Sequence, residues 1–173
     1  SNMPYITFPT VTGPRSMRID KYVEIVARTK TSQATDIAIR TTLLKNGLSL
    51  VTFSRNRSMW RDACDLYVGR VFSLTARSAK ENNVPHVDQL PSGGCPLHPN
   101  CTHTIQVWFP GSMSQGMESL AFTRPPAWAL GSSWGSVQAE FKRRGGWAYA
   151  VQQNPMLKFA QPSSVPRPRK GKK

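Results

Sequence analysis

The sequence predicts an α+β fold in which N-terminal helices pack on a small, mainly antiparallel sheet. Apolar residues recur at intervals of three and four over residues 19–46, which is the period of an amphipathic helix. Three short segments farther along are rich in β-branched and aromatic residues, as strands are. The chain has 173 residues, of which 39% are hydrophobic, and this is enough to bury one core.

The helical pattern begins after residues 1–17, where repeated prolines predict an irregular segment. Within 19–46 we expect two helices separated by a short break, because Thr31 and Ser32 can cap a second helix. Gly47 is expected to end the second helix. The apolar face of the first helix consists of Ile19, Tyr22, Val23, Ile25 and Val26.

Three strands are predicted, over residues 48–54, 70–75 and 103–109. The stretch 76–100 is rich in proline and glycine, so we expect it to be mostly loop. Residues 110–160 are predicted to form a loop-rich extension with one short helix, over 136–144, that two glycines end. Residues 161–173 lack a hydrophobic pattern, and we expect a disordered basic tail there.

The charge of the chain is strongly basic, since 23 Lys and Arg against 9 Asp and Glu give a net charge of +14. This balance favours a polyanionic partner, and we expect nonspecific contact with DNA. The cations of the tail are Arg167, Arg169, Lys170, Lys172 and Lys173. Arg55 and Arg57, beside Trp60, are a second candidate segment for phosphate binding, and the alternative is a solvated loop with Trp60 on the core. No apolar stretch is long enough to cross a membrane, so no membrane partner is predicted.

The sharpest chemical feature is a loop that carries Cys95, His98 and Cys101 at intervals of three. Zn²⁺ prefers four nitrogen and sulfur ligands in a tetrahedron, and ligands this close in sequence can meet one ion. The predicted site, closed and therefore structural, consists of Cys64, Cys95, His98 and Cys101. His103 is a reserve ligand. The alternative is that the cysteines are ordinary buried thiols and that His98 bonds a backbone carbonyl within its turn.

The cluster does not match the catalytic sites that use the same residue types. A zinc deaminase needs His-x-Glu before Pro-Cys-x-x-Cys, whereas His86 is followed by Asp88 and the later cysteines have the wrong spacing. A Cys–His nucleophile pair lacks an orienting residue. We therefore predict no catalytic residues, no small-molecule substrate and no enzymatic activity.

Four blocks of sequence occur in a recognisable order: KYVEIVART at 21–29, LLKNGLSLVTFS at 43–54, CDLYVGRVFSL at 64–74 and LHPNCTH at 97–103. The ordered set resembles the phage minor capsid protein 2 family, which is related to the head-morphogenesis (MuF-type) proteins of phage Mu. The resemblance covers about residues 18–108. It implies a MuF-like minor capsid domain over 18–109, between the irregular N-terminal segment and the extension.

The chain departs from the family pattern at two positions that bear on the metal. The family has a Cys-Pro-x-Cys pair before its glycine block, and Arg61 stands where its first cysteine is expected. Cys95 stands where the family has another residue type. The resemblance therefore implies one of two outcomes: Cys95 replaces the missing ligand, or the metal has been lost.

The resemblance implies a structural role in a virion, as a minor capsid protein of head morphogenesis. Its expected partners are the portal, other capsid proteins and packaged DNA. Its expected location is the head interior or portal region of the virion, and the host cytoplasm during assembly. Two alternatives from other classes are a toxin-like or ADP-ribosyltransferase-like enzyme module and a zinc-stabilised nucleic-acid-binding module. The enzyme alternative lacks a convincing catalytic glutamate among Glu24, Glu81, Glu118 and Glu140.

Overall fold

The computed structural model of the chain describes residues 4–10, 13–54, 62–113 and 115–159. Within these ranges the chain forms five α-helices and two antiparallel sheets, which confirms the predicted α+β class. The elements in chain order are β1 (Tyr5–Phe8), β2 (Arg15–Arg18), α1 (Ile19–Lys45), β3 (Leu50–Phe53), β4 (Val71–Ser73), α2 (Ala76–Glu81), β5 (Ile105–Val107), α3 (Gln115–Ala121), α4 (Trp134–Arg143) and α5 (Trp147–Gln153).

The prediction that the N-terminal segment is irregular is wrong for the part that forms a β-hairpin. β1 and β2 pair antiparallel, with Tyr5 opposite Arg18 and Phe8 opposite Arg15. Pro4 immediately precedes β1, and the other prolines of the segment also lie outside the strands. A proline next to a strand removes no hydrogen bond from the ladder, so these prolines bound the hairpin and do not disrupt it.

α1 is one continuous helix, and the predicted break at Thr31 and Ser32 is wrong. The helix contains no proline or glycine, so nothing in its backbone chemistry interrupts it. Two of its threonines are satisfied inside the helix: Thr29 Oγ1 donates to the Ile25 carbonyl at 2.8 Å, and Thr35 Oγ1 to the Thr31 carbonyl at 3.0 Å. At 27 residues, α1 is about 40 Å long.

The three predicted strands form one sheet in the order β4-β3-β5, and each is shorter than its sequence pattern. β3 lies in the centre, where Val51 is paired with Phe72 on one side and Val107 on the other. Val51, Phe53 and Phe72 are almost fully buried. The Phe53 and Phe72 rings meet edge to face with centroids 5.6 Å apart, which adds to the stabilisation from burial.

The C-terminal extension shares this core and is more helical than predicted. Besides α4, at the predicted position, it contains α3 and α5. Val137 and Phe141 of α4 belong to the same buried cluster as the sheet residues. Arg70, at the start of β4, is fully buried, and its guanidinium donates to the carbonyls of Thr123 and Gln153. The predicted loop 76–100 also contains one short helix, α2.

Among the described residues, the C-terminal half of α1 packs on the core, while Arg28 in its first half donates to Asn100 Oδ1 at 3.1 Å. Asp36 is the buried residue of the helix, and Ile39 and Leu43 pack against the core cluster. The predicted apolar face of the first half is mostly exposed, with Val23 57% exposed. The hairpin packs on this half instead, where the rings of Phe8 and Tyr22 lie 6.3 Å apart. None of the described helices combines the length and the apolar character needed to cross a membrane.

Candidate metal centre

His98 and Cys101 lie at the two ends of a tight turn. The Cys101 amide donates to the His98 carbonyl at 3.0 Å, and Asn100 between them has φ 66°. Proline at the second position and a left-handed residue at the third are typical of a type II β-turn, which His-Pro-Asn-Cys fits. The turn brings both side chains to the same side of the loop. We call residues 95–101 the knuckle.

Cys64 approaches the knuckle from a separate element, the 3-10 turn Ala63–Leu66. Asp62 caps this turn, because its Oδ1 accepts a hydrogen bond from the Cys64 amide at 2.9 Å. Cys64 is fully buried, so the direction of its thiol is fixed by the packing of the turn. Cys64, the candidate ligand that is distant in sequence, is therefore held in place by a capped turn.

The structure brings Cys64, His98 and Cys101 together. Their ligand atoms all lie within 4.8 Å of one another, so that one ion can contact all three. His98 Nε2 is 3.2 Å from Cys64 Sγ. Two sulfurs and one imidazole nitrogen are ligands that zinc prefers, and the residues present fit the predicted metal.

The imidazole of His98 is oriented for metal binding. Its Nδ1 lies 2.7 Å from the Pro99 carbonyl, to which a protonated Nδ1 donates. This tautomer leaves the lone pair of Nε2 directed at the cysteines, as in histidines whose second nitrogen is fixed by a carbonyl. Trp134, at the start of α4, stacks on the ring with centroids 4.2 Å apart. The sequence analysis gave a bond from His98 to a backbone carbonyl as the alternative to metal binding. In the structure this bond, to the Pro99 carbonyl, orients the His98 ring toward the cysteines.

The site carries negative charge that a cation can balance. A hydrogen bond from the Cys64 thiol, opposed by burial, lowers the pKa of Cys101 to about 5, which favours the thiolate form of Cys101. Burial raises the pKa of Cys64, and the Cys101 charge raises it further. A bound metal favours loss of the Cys64 proton as well, because thiolates are the metal ligands.

Cys95 lies outside this group of three. It is buried, and its backbone amide faces the carboxylate of Asp36 on α1. Asp36 Oδ2 is 2.7 Å from Arg40 Nε. Arg40 in turn covers Gly94, where an added Cβ would collide with its guanidinium. This end of the knuckle therefore fastens the loop to α1, and Cys95 takes part in that attachment.

The other predicted site residues have different roles or lie outside the described residues. His103, the reserve ligand, is buried and its Nδ1 is 3.0 Å from the Ser54 carbonyl. His86 caps a 3-10 turn by accepting from the Asp88 amide. The predicted phosphate-binding residues all lie in 55–61 and 160–173, outside the ranges that the structure describes: Arg55, Arg57, Arg167, Arg169, Lys170, Lys172 and Lys173.

Sequence reasoning missed Asp62 and Trp134. Asp62 stands two residues before Cys64, where an Asp often caps a turn, and that signal was available. Trp134 lies 36 positions after His98, and no local pattern connects the two.

Comparison with known proteins agrees with the resemblance in the sequence. The profile of a family described as phage minor capsid protein 2 matches residues 1–122. The chain belongs to this family. Neither the curated proteins nor the solved structures contained a match. The part matched by this minor capsid family contains Cys64, His98 and Cys101, whereas α4, which provides Trp134, lies after it.

Proposed function

We propose that the chain is a non-enzymatic structural protein of the phage head that binds the portal and contacts packaged DNA, with a zinc ion stabilising its family domain. The observation that carries this proposal is the minor capsid family match over residues 1–122. Family membership supports a phage structural role, and three features of the chain support the finer assignments: the metal centre, an exposed apolar helix face and the basic tail.

The zinc would be held by Cys64, His98 and Cys101, whose atoms are already close together. Bound there, zinc supplies a covalent link between the turn before β4 and the loop before β5. A structural zinc contributes directly to folding free energy. Such a link suits a small domain whose central sheet has only three short strands.

The exposed face of α1 supports contact with another capsid component. We call residues 4–35 the arm; none of its described residues is buried. Large exposed apolar side chains lie along one side of α1, within the arm and beyond it. We call them the stripe: Ile19, Tyr22, Val23, Val26, Ile37 and Leu44. On a helical wheel they span an arc of about 100°, the width of a face that packs on a partner, although Lys30 and Gln33 interrupt it.

We assign this face to the portal. Residues 13–35 contain five basic and two acidic side chains, so the apolar stripe is bordered by positive charge. A portal surface with an apolar centre and an acidic border would complement it in shape and charge. A second copy of this chain would bring like charges together along the same border.

Replacing two stripe residues with aspartate should abolish portal binding. Val23→Asp with Val26→Asp buries two charges in the interface, and we expect at least a tenfold loss of affinity for the portal protein of the same phage. Surface plasmon resonance with the full chain gives the affinity. Thr31→Asp with Ala38→Asp is the matched control, because both positions are exposed and lie off the stripe.

The control variant should bind like the unmodified protein. Equal binding by both double variants would contradict the assignment of the stripe to the portal. Self-association of the unmodified chain in analytical ultracentrifugation, abolished by the stripe variant, would replace the portal with a second copy as the occupant.

The basic tail supports contact with packaged DNA. Pro168 and Gly171 separate its cations, so a helix that enters a groove is not favoured, and contacts should go to phosphates regardless of sequence. Each neutralised phosphate contributes about −0.9 to the slope of log affinity against log salt concentration.

Removing residues 165–173 should flatten this salt dependence by about three to five units, because the deletion removes five cations. Affinity for unrelated duplexes should fall in parallel. Fluorescence anisotropy in a salt series, on the full and shortened chains, measures both. An unchanged slope would show that the tail does not contact DNA and would direct attention to Arg55 and Arg57.

A further inference from the structure

The metal centre described so far supplies three ligands, and zinc in a structural site takes four. Asp62 is the acidic side chain at this site. Its Oδ1 is occupied by the Cys64 amide at 2.9 Å, while Oδ2 lies 3.5 Å from His98 Nε2. The carboxylate also contacts the Cys64 thiol. One oxygen of Asp62 thus fixes the side chain, and the other faces His98.

The distance from Asp62 Oδ2 to His98 Nε2 is that of two ligands in a tetrahedral site, and the distance from His98 Nε2 to Cys64 Sγ is slightly shorter. Zinc–oxygen, zinc–nitrogen and zinc–sulfur bonds of about 2.0–2.3 Å at tetrahedral angles place ligand atoms about 3.3–3.8 Å apart. His98 Nε2 is 3.5 Å from Asp62 Oδ2 and 3.2 Å from Cys64 Sγ. Asp62 is not among the residues whose ligand atoms all lie within 4.8 Å of one another, so its carboxylate would have to move toward Cys101 for all four side chains to contact one ion.

We propose that Asp62 is the fourth ligand, which makes the centre a closed Cys₂HisAsp zinc site. This proposal rests on the zinc site of the proposed function and names the ligand that replaces the cysteine absent at Arg61. Two thiolates and one carboxylate give the donor set a charge of −3 against the +2 of zinc. The excess negative charge is compatible with the strongly basic character of the chain.

Cys95 is the competing fourth ligand, and its surroundings favour a different role. Its amide faces Asp36, and Gly94 before it is covered by Arg40. Moving Cys95 into the metal site would disturb these attachments to α1. Asp62 also lies outside the group of three, but the bond from the Cys64 amide holds it beside His98, so a change of its side chain alone would bring it to the ion.

The ligand role of Asp62 can be separated from its capping role. Asn in Asp62→Asn retains an oxygen that accepts from the Cys64 amide, so the turn remains capped, but the neutral amide is a poor zinc ligand. Asp62→Cys restores a strong ligand of the type found in the family pattern. Cys95→Ser removes the competing thiol.

The test is titration of the full chain and these variants with Co²⁺, followed by competition with Zn²⁺. The unmodified protein should show the visible bands of tetrahedral cobalt and a sulfur-to-cobalt charge-transfer band. Asp62→Asn should bind metal at least about tenfold more weakly, and Cys95→Ser within about twofold of the unmodified chain. Asp62→Cys should raise the charge-transfer intensity by about half, because two thiolates become three.

Asp62→Asn with unchanged affinity, or an unchanged charge-transfer band in Asp62→Cys, would overturn the assignment of Asp62. Loss of binding in Cys95→Ser alone would identify Cys95 as the fourth ligand. If the unmodified chain bound no cobalt, the zinc site itself would fail together with its fourth ligand, and this outcome is distinct from the other two. Circular dichroism of each variant confirms that it is folded.

Discussion

Cys101→Ser should unfold at a temperature about 10 °C below that of the unmodified protein. Cys101 is the thiolate of the group, and serine oxygen is a weak zinc ligand, so the variant should lose its metal. Loss of a structural metal costs at least about 3 kcal/mol of unfolding free energy in a domain with its own core. For a chain of this size each kcal/mol shifts the midpoint by about 2–4 °C. Thermal unfolding followed by circular dichroism measures the shift.

A chelator separates loss of metal from damage to packing at the same position. The unmodified protein should lose stability on treatment with a strong zinc chelator, down to the level of Cys101→Ser. The variant itself should not respond to the chelator. If both proteins were unaffected by it, the stability of the variant would report packing only, and the structural role of zinc would be contradicted.

Asn154→Ala should destabilise the protein by about 3 kcal/mol, which lowers the midpoint by about 6–12 °C. Asn154 is fully buried, and its Nδ2 donates to the carbonyls of Asp65 and Val68 at 2.6 and 3.0 Å. Its Oδ1 accepts from the Met156 amide at 3.1 Å. Alanine removes all three bonds and leaves buried polar groups behind. Urea unfolding gives the free energy.

This substitution tests whether the segment after the family match belongs to the same folding unit. Asp65 and Val68 lie in and after the turn that carries Cys64, so Asn154 joins the C-terminal region to the metal centre. Gln152→Ala is the matched control, because Gln152 is exposed on the same helix, and it should change stability by less than about 0.5 kcal/mol. Equal stability of the two variants would argue against a shared core.

The parts of the fold that sequence predicted correctly depend on local composition. The three strands are short β-rich segments that turn residues bound, and the sheet buries them where the pattern indicates. The continuous α1 was harder to predict, because threonine and serine suit both a cap and a helix interior. In the structure the helix continues through Thr31 and Ser32, and the neighbouring Thr29 and Thr35 bond to helix carbonyls.

The exposed stripe of α1 shows that apolar periodicity in the sequence does not predict which part of a helix face is buried. A helical repeat of apolar residues predicts that one face is covered, but it does not say what covers it. The same pattern describes Leu43, which packs on the core, and Val23, which is exposed. The arm reaches beyond the core because the helix is about 40 Å long and the sheet has strands of only three or four residues.

The grouping of Cys64, His98 and Cys101 was predicted in part for a related reason. His98 and Cys101 are joined by a single turn, so their proximity follows from local sequence. Cys95 has the same spacing from His98, but it lies beside Asp36, which is 59 residues away in the chain. Contacts of this kind depend on how α1 packs, and sequence spacing does not contain that information.

Native mass spectrometry of the full chain, purified without chelator, tests the zinc centre most directly. The account predicts one zinc ion per folded chain, lost on acid unfolding and absent from Cys101→Ser under the same conditions. A folded, metal-free chain that takes up no zinc when zinc is added would contradict it.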